Sequence, residues 1–191
     1  MKKHGDFLSY KVVVRDKDGK VLFSEAAPSK SFVEQWNKLV NIAARNNTQT
    51  VRDTGGVNRS VAVSGTTFTA TAPIGQINYG IRIGKGSTPV AITDYALETP
   101  LAHGTGLDQV QHQVMQFTAP VVAGSTCSFS TQRILVNNSG ANITGVQEVG
   151  CYVRMGGASY YGMGFRDVLG GPCDIPDGGS ITVEYTIGVT V

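Results

Sequence analysis

The clearest pattern of apolar and polar residues lies in the last eleven residues of the chain. Apolar side chains occupy every second position there, at Ile181, Val183, Tyr185, Ile187, Val189 and Val191. Side chains of a β-strand point alternately to its two faces, so this pattern predicts a strand with one buried face and one solvated face. A polar Pro-Asp-Gly-Gly turn at residues 176–179 separates it from a preceding strand. A sheet is therefore expected to be the foundation of the fold.

Short apolar stretches separated by Gly, Asn, Ser and Pro recur along the chain from residue 50 onwards. A hairpin is predicted before them, over residues 7–23, with a turn at Asp16-Lys-Asp-Gly19. The later predicted strands are residues 60–63, 67–70, 78–83, 110–117, 127–136, 145–154, 160–166 and 180–189. About ten strands joined by tight turns predict a mainly all-β fold, an antiparallel β-sandwich with a jelly-roll-like arrangement.

One amphipathic helix is predicted near the N-terminus, between Pro28 and Asn46. Its apolar stripe has helical spacing and consists of Phe32, Trp36, Leu39, Val40 and Ala43. Ser31 and Glu34 have the spacing of a capping box, in which the Ser hydroxyl accepts a hydrogen bond from a first-turn amide and the Glu side chain reaches back to the amide of the cap residue. The sole Trp is expected to pack this helix onto a sheet. The chain is thus interpreted as a single domain, residues 1–191, in which the hairpin and helix of residues 1–48 pack on a sandwich of residues 50–191.

The composition favours a subunit that lies among neighbours. Only 16% of the 191 residues are charged, against roughly 25% in average soluble proteins. The net charge of +2 is too small to indicate binding to nucleic acid or to an anionic membrane. A surface with so few charges is one that contact with other subunits would tolerate.

The N-terminus and the cysteines indicate where the chain is made. Met1-Lys-Lys is followed by His4-Gly-Asp rather than by an apolar run, so no signal peptide is predicted. No stretch approaches the roughly 20 apolar residues that span a bilayer. Cys127, Cys151 and Cys173 are odd in number and widely spaced, which favours reduced thiols buried on strands.

Two short motifs resemble enzyme motifs. The Asp53-Thr-Gly triplet matches that of aspartic proteases, so a homodimer could in principle pair two copies of Asp53. The favoured interpretation is a hairpin turn, because a polar strand precedes the triplet and Gly56 follows it. Lys85, within the glycine-rich residues 80–87, precedes Gly86 rather than the Ser or Thr that opens the helix of a phosphate loop. This segment is interpreted as a turn after a strand.

No residue is assigned a catalytic, cofactor-binding or metal-binding role. His103 and His112 could meet Asp108 only if the intervening loop folds back, and three scattered histidines do not indicate a metal site. No Ser-His-Asp arrangement can be identified either. The chain is therefore predicted to be non-enzymatic.

A glycine-rich aromatic segment at residues 156–164 leaves three interpretations open. Tyr160 and Tyr161 lie among glycines, with Phe165 just beyond them. Such residues can form an exposed turn, pack at a subunit interface or stack on sugars. Glycan binding through Tyr160, Tyr161 and Phe165 is the basis of an alternative function, a receptor- or carbohydrate-binding module.

Three stretches together resemble a known group of proteins. The first runs from Ile83-Gly-Lys-Gly-Ser-Thr-Pro to Asp94-Tyr-Ala-Leu, and the second is Glu148-Val-Gly-Cys-Tyr. The third begins at Arg166-Asp-Val-Leu and continues through residues 175–187. In this order they resemble structural proteins of tailed-bacteriophage virions, of the tail, neck and head-decoration type, over roughly residues 50–191.

The resemblance implies a virion protein that is made in the host cytoplasm and assembles in multiple copies. Its expected partners are itself, as a homo-oligomer, and other virion proteins. In the alternative function, a binding module of a phage fibre, the expected partner is a glycan of the host surface. Exposed strand edges in the N-terminal hairpin or the final strand are the expected places for added strands. Arg166, on an otherwise apolar strand, is expected to pair with Asp167, Glu184 or a neighbouring subunit.

Overall fold

The chain folds mainly into β-strands. A computed structural model describes residues 5–29, 31–157 and 160–191. Strands make up 51% of the chain and helix 7%, which establishes the mainly β class. The elements are β1 Gly5–Arg15, β2 Val21–Ser29, α1 Glu34–Arg45, β3 Gln49–Arg52, β4 Asn58–Val61, β5 Gly80–Gly84, β6 Ala102–His103, β7 Gln109–His112, β8 Gln116–Phe117, β9 Val121–Ala123, β10 Thr126–Val136, β11 Ile143–Arg154, β12 Tyr161–Ile175 and β13 Ser180–Thr190. His4, Ala158 and Ser159, which belong to segments interpreted from sequence, lie outside the described residues.

The largest sheet has eight strands and is called the main sheet. Its path is β2-β1-β13-β10-β7-β6, and β8 and β9 also pair with β10. The final strand β13 pairs with β1 on one side and β10 on the other, each over eleven residues. The expectation that it is a free edge is therefore wrong, because both of its edges are hydrogen-bonded. The N-terminal hairpin is itself part of the main sheet, with β2 at the edge.

A second sheet of three strands shares its core with the main sheet. Its order is β12-β11-β5, and β3 pairs with β4 in a separate hairpin. Val12 and Val183 of the main sheet and Ile83, Val149 and Phe165 of the second sheet belong to one buried cluster. Burial of each such side chain stabilises the fold by roughly 1.5–3 kcal/mol. All five residues of β5 are buried, so both faces of this strand are covered.

Helix α1 packs against β12 and β3. The ring centroid of Trp36 lies 5.9 Å from that of Phe165 and 5.1 Å from that of Phe68, which agrees with its predicted packing role. Leu39 and Ile42 are buried, whereas Val40 of the predicted stripe is exposed. The helix lies with its Leu39 side against the sheets, so Val40 faces outwards. Among the described residues, no helix combines the length and apolar character needed to cross a membrane.

The predicted capping box does not form. Val33 is the N-cap and makes no side-chain cap bond. Ser31 is buried and its hydroxyl lies 2.6 Å from that of Ser29. Glu34 instead accepts a hydrogen bond from Lys38 at 3.2 Å. Competing partners therefore occupy both side chains that the box requires.

A buried arginine fixes the loop before β5. The Arg133 guanidinium on β10 donates to the carbonyl oxygens of Gln113, Ile81, Pro73 and Gln76 at 2.7, 3.1, 3.1 and 2.8 Å. Burial lowers the pKa of this group to about 10. Four carbonyl acceptors take four of the five N–H donors of a cation that lies inside the core, and they hold the turn at residues 73–76 in place.

Candidate functional site

The three stretches that carry the virion resemblance meet in space around Glu148. This side chain lies on β11 and is fully buried. Its carboxylate accepts hydrogen bonds from the backbone amides of Gly86, Glu98 and Thr99 at 3.1, 2.9 and 2.7 Å. It also accepts one from Arg166 Nε on β12 at 3.1 Å. One carboxylate thus connects two loops to the second sheet.

Arg166 is held by carboxylates on three sides. Its Nη1 donates to Asp94 Oδ2 at 2.9 Å, and its Nη2 lies 3.7 Å from Glu98 Oε2. Only 3% of the side chain is exposed. Burial alone would lower the Arg166 pKa, but the hydrogen bonds to Asp94 and Glu148 outweigh it and raise the pKa. Glu148, Arg166, Asp94 and Glu98 are called the Glu148 cluster.

The expected pairing of Arg166 with Asp167 or Glu184 is wrong. Neighbouring residues on a strand point to opposite faces, so Asp167 faces away from Arg166. Its carboxylate accepts a hydrogen bond from the Tyr185 hydroxyl at 3.0 Å. The carboxylates of the Glu148 cluster are paired with hydrogen-bond donors. The cluster therefore holds the two loops against the second sheet and does not present a free acid or base.

Asp53 occupies the turn between β3 and β4. Its Oδ1 accepts hydrogen bonds from the amides of Gly55 and Val57, both at 2.9 Å, and its Oδ2 accepts one from Arg59 Nε at 2.6 Å. Burial alone would raise the Asp53 pKa, but these hydrogen bonds lower it. Aspartic proteases need one carboxyl of a facing pair to stay protonated. The geometry assigns Asp53 to the hairpin turn, which was the favoured interpretation.

Replacement of Asp53 by Asn is expected to destabilise the fold by about 1 kcal/mol at neutral pH. The folded-state pKa is lowered, so this contribution is present above the unfolded pKa and is lost as pH falls through the folded value. Denaturant unfolding of both proteins at pH 7 and pH 2.5 measures the difference. Asp18→Asn, which removes the exposed pair with Lys17, is the matched control. A difference that persists unchanged at pH 2.5 would contradict the electrostatic account.

The structure does not bring Tyr160, Tyr161 and Phe165 together on one surface. Phe165 is buried, with its ring centroid 4.5 Å from that of Tyr185. Tyr161 stacks on Tyr79 with centroids 5.9 Å apart, whereas Tyr160 packs beside the Arg59 guanidinium. Phe165 is therefore unavailable to a glycan, and only the half-buried tyrosines remain from that set.

The structure brings His103 and His112 together, whereas Asp108 pairs with the lysine of the glycine-rich segment. The His112 amide donates to His103 Nδ1 at 3.1 Å, but Asp108 pairs with Lys85 at 2.6 Å. Within residues 5–29, 31–157 and 160–191, no three His, Cys, Asp or Glu side chains have a geometry that could hold a metal ion. Residues after β5 form a loop rather than a helix, in agreement with the predicted turn. The three cysteines are free thiols.

The inner face of the main sheet continues beyond the core. Along β13, the inner-face residues Val183 and Tyr185 are buried, Ile187 is half-buried, and Val189 is 46% exposed. The register places Val189 opposite Cys127 of β10, and Cys127 opposite Val122 of β9. Val122 is 74% exposed. A row of apolar side chains that should face a core is thus left uncovered.

An apolar groove runs between this uncovered face and helix α1. It consists of two adjoining cavities of about 320 and 300 Å³, and Trp36, Phe129 and Ile187 line both. The other lining residues are Phe7, Phe32, Asn37, Val40, Phe68, Ala70, Phe117, Pro120, Cys127, Ser128, Thr131, Cys151, Val153, Phe165, Gly188 and Val189. No Asp, Glu, Lys or Arg is among them. The arrangement suits an uncharged, apolar occupant.

Comparison of the chain with protein-family models, with curated proteins and with solved structures found no match. The virion resemblance therefore stays a prediction from sequence. The functional argument depends on the geometry of the Glu148 cluster and of the apolar groove.

Proposed function

We propose that the chain is a non-enzymatic structural subunit of a tailed-bacteriophage particle, present in multiple copies in the tail, the neck or the capsid surface. The apolar groove is the observation that carries this proposal. A groove lined almost wholly by apolar side chains and open to solvent is typical of a surface that contacts another molecule. Val122 and Val189 continue a core face into solvent, as expected of a sheet that another subunit covers.

Convergence of the three resembling stretches supports the same proposal. Glu148, Arg166 and the loops at residues 84–88 and 94–99 are far apart in sequence but form one hydrogen-bonded unit. The hydrogen bonds and ion pairs of the Glu148 cluster restrict the motion of the loops at one edge of the second sheet. A rigid subunit loses less conformational entropy when it assembles than a flexible one does.

The proposed architecture is an antiparallel β-sandwich of jelly-roll type, formed as a single domain. The main sheet and the three-stranded sheet bury one common cluster between them, which is the layer arrangement of a sandwich. The proposed partners are further copies of the chain and other virion proteins. An experimental structure in which the two sheets do not face each other would contradict this architecture.

Imaging of intact particles, encoded by the genome that carries this gene, tests the proposed function. Density at side-chain resolution is expected to contain the chain in several symmetry-related copies. Particles made without the gene are expected to lack the density of these copies and to be defective in assembly. Complete particles that contain no copy of the chain would overturn the proposal.

A further inference from the structure

We propose that a polar cavity beside the Glu148 cluster binds a neutral sugar through the hydroxyl groups of the sugar. The cavity has a volume of about 380 Å³ and is lined by residues 93–98, Arg52, Thr88 and Arg166. It is a different place from the aromatic segment considered for glycans above, because no residue of that segment lines it. The inference goes beyond the proposed function and does not depend on it, since it concerns a ligand of the single chain.

One donor of Arg166 has no acceptor within the described part of the chain. Nε donates to Glu148 and Nη1 donates to Asp94, but Nη2 is buried and makes no hydrogen bond. Glu98 Oε2 lies 3.7 Å from Nη2, which is too far for a hydrogen bond. Arg166 and Glu98 both line the cavity. Buried polar atoms without partners are rare in folded proteins, so a ligand in the cavity is expected to supply an acceptor.

The charges around the cavity are balanced. Two guanidinium groups, of Arg52 and Arg166, and two carboxylates, of Asp94 and Glu98, line it. A bound anion would meet the two carboxylates, and a bound cation would meet the two guanidinium groups. Burial of a charge that finds no net opposite charge is costly. The lining therefore favours a neutral ligand.

The same walls offer acceptors as well as donors. Asp94 takes its hydrogen bonds from Arg166 and Ala91 through Oδ2. Glu98 takes those of the Thr88 amide and hydroxyl through Oε2. The other oxygen of each carboxylate is left to accept a hydrogen bond from a ligand. A hydroxyl group donates one hydrogen bond and accepts others, so it can bind a carboxylate and a guanidinium at once. Neighbouring hydroxyls on a sugar ring supply several such groups in a small volume.

The cavity has the access and the size that a sugar needs. Thr88 and Thr93 are exposed at its rim, and 46% of the Glu98 side chain is exposed. Its volume lies within the roughly 300–1,000 Å³ of small-molecule sites. A peptide would instead bind along an extended groove or a strand edge. A compact cavity of this kind therefore favours a sugar over a peptide.

The walls are held in place before a ligand binds. The backbone amides of Glu98 and Thr99 donate to the Glu148 carboxylate at 2.9 and 2.7 Å. On the opposite wall, the guanidinium carbon of Arg52 lies 3.9 Å from the centroid of the Tyr95 ring. Binding costs less conformational entropy when the polar groups that meet the ligand are already positioned.

Nuclear magnetic resonance titration of the full chain tests the proposal. The sugar probes are glucose, galactose and mannose, with N-methylacetamide as a probe for a peptide group and acetate as a probe for an anion. At least one sugar is expected to shift the backbone amide signals of residues 93–98 and the guanidinium signals of Arg166. The signals of the apolar groove are expected to stay unchanged.

Two variants test whether the cavity itself binds the sugar. Glu98→Ala and Arg52→Ala each remove one charged hydrogen-bonding group, and each is expected to weaken binding roughly tenfold or more. Asp18→Ala and Arg45→Ala are the matched controls. They change exposed residues outside the cavity and are expected to bind like the unaltered chain. Thermal unfolding of each variant first confirms that it is folded.

The sugar site is ruled out if none of the three sugars shifts the signals of the cavity, or if both cavity variants bind as tightly as the controls. Shifts produced by acetate or N-methylacetamide but by no sugar would assign the cavity to an anion or a peptide, and would also overturn the proposal. The role as a virion subunit is judged separately by particle imaging, so a failure of sugar binding does not affect it.

Discussion

Glu148→Gln is expected to destabilise the fold by about 3–5 kcal/mol, the range found when one partner of a buried ion pair is removed. The amide keeps one oxygen acceptor but turns an NH₂ group towards the backbone amides of Gly86 or Glu98. It also leaves Arg166 without its partner on β11. Denaturant unfolding at pH 7 measures the change through the shift in midpoint at constant slope.

A matched control distinguishes the loss of a buried charge from the loss of an exposed charge in the same cluster. Glu98→Gln changes the same kind of side chain in the same cluster, but Glu98 is about half exposed and its main partner is Thr88. It is expected to cost much less than Glu148→Gln does, because solvent screens the exposed carboxylate. Equal losses for the two variants would show that burial of Glu148 does not determine its contribution.

The double variant Glu148→Gln with Arg166→Met tests the coupling between the two groups. Removal of both charges leaves no unpaired buried ion, so the combined loss is expected to be smaller than the sum of the two single losses. Additive losses would mean that Glu148 acts through the backbone amides of the loops alone. The same unfolding measurement applies to all four proteins.

Three long strands could be predicted from sequence. Residues 127–136, 145–154 and 180–189 were predicted as strands, and the structure confirms them as β10, β11 and β13 with small changes at the ends. Apolar runs bounded by turn residues are sufficient to locate these strands, although only β13 alternates along its length and β11 is buried continuously over residues 148–153. Their hydrogen-bonding partners are set by contacts between distant residues, so the order of strands in the sheets could not be predicted.

One predicted strand is wrong and another is interrupted, in each case because of a hydrogen bond to a residue distant in sequence. Residues 67–70 form a turn in which Phe68 has a φ of 67°, and the Thr66 hydroxyl donates to the Gly156 carbonyl at 2.6 Å. Residues 110–117 divide into β7 and β8, because the Met115 amide turns aside to the Ala72 carbonyl at 2.9 Å. In each case a partner distant in sequence outweighs the local strand preference.

The site could be predicted only in its parts. A lone glutamate in the apolar pattern of β11 indicates a buried charge, but its amide donors are 49 to 62 residues away. The sequence does indicate the apolar face that forms the groove, because the apolar alternation of β13 continues to Val189. Alternation indicates which face is apolar. It does not indicate whether the same chain covers that face.

Acidification is expected to destabilise the fold through His112. This ring is buried, its Nδ1 lies 3.2 Å from the Val110 carbonyl, and burial together with Arg133 and Arg82 lowers its pKa from 6.5 to about 3. The unfolded chain therefore binds a proton that the folded chain excludes, so stability falls as pH drops from 6.5 towards 3. Between pH 7 and pH 4 the loss from this group is about 3 kcal/mol.

His112→Gln isolates that contribution, because Gln is neutral throughout the range. Unfolding free energies of the two proteins, measured from pH 7 to pH 4, are expected to diverge below pH 6.5. The unaltered chain should lose about 3 kcal/mol more than the variant by pH 4. Titrating groups elsewhere in the chain, such as Asp167, are common to both proteins and cancel in the difference. Parallel pH profiles would mean that His112 accepts its proton within the folded state, and that Arg133 and Arg82 do not set its charge.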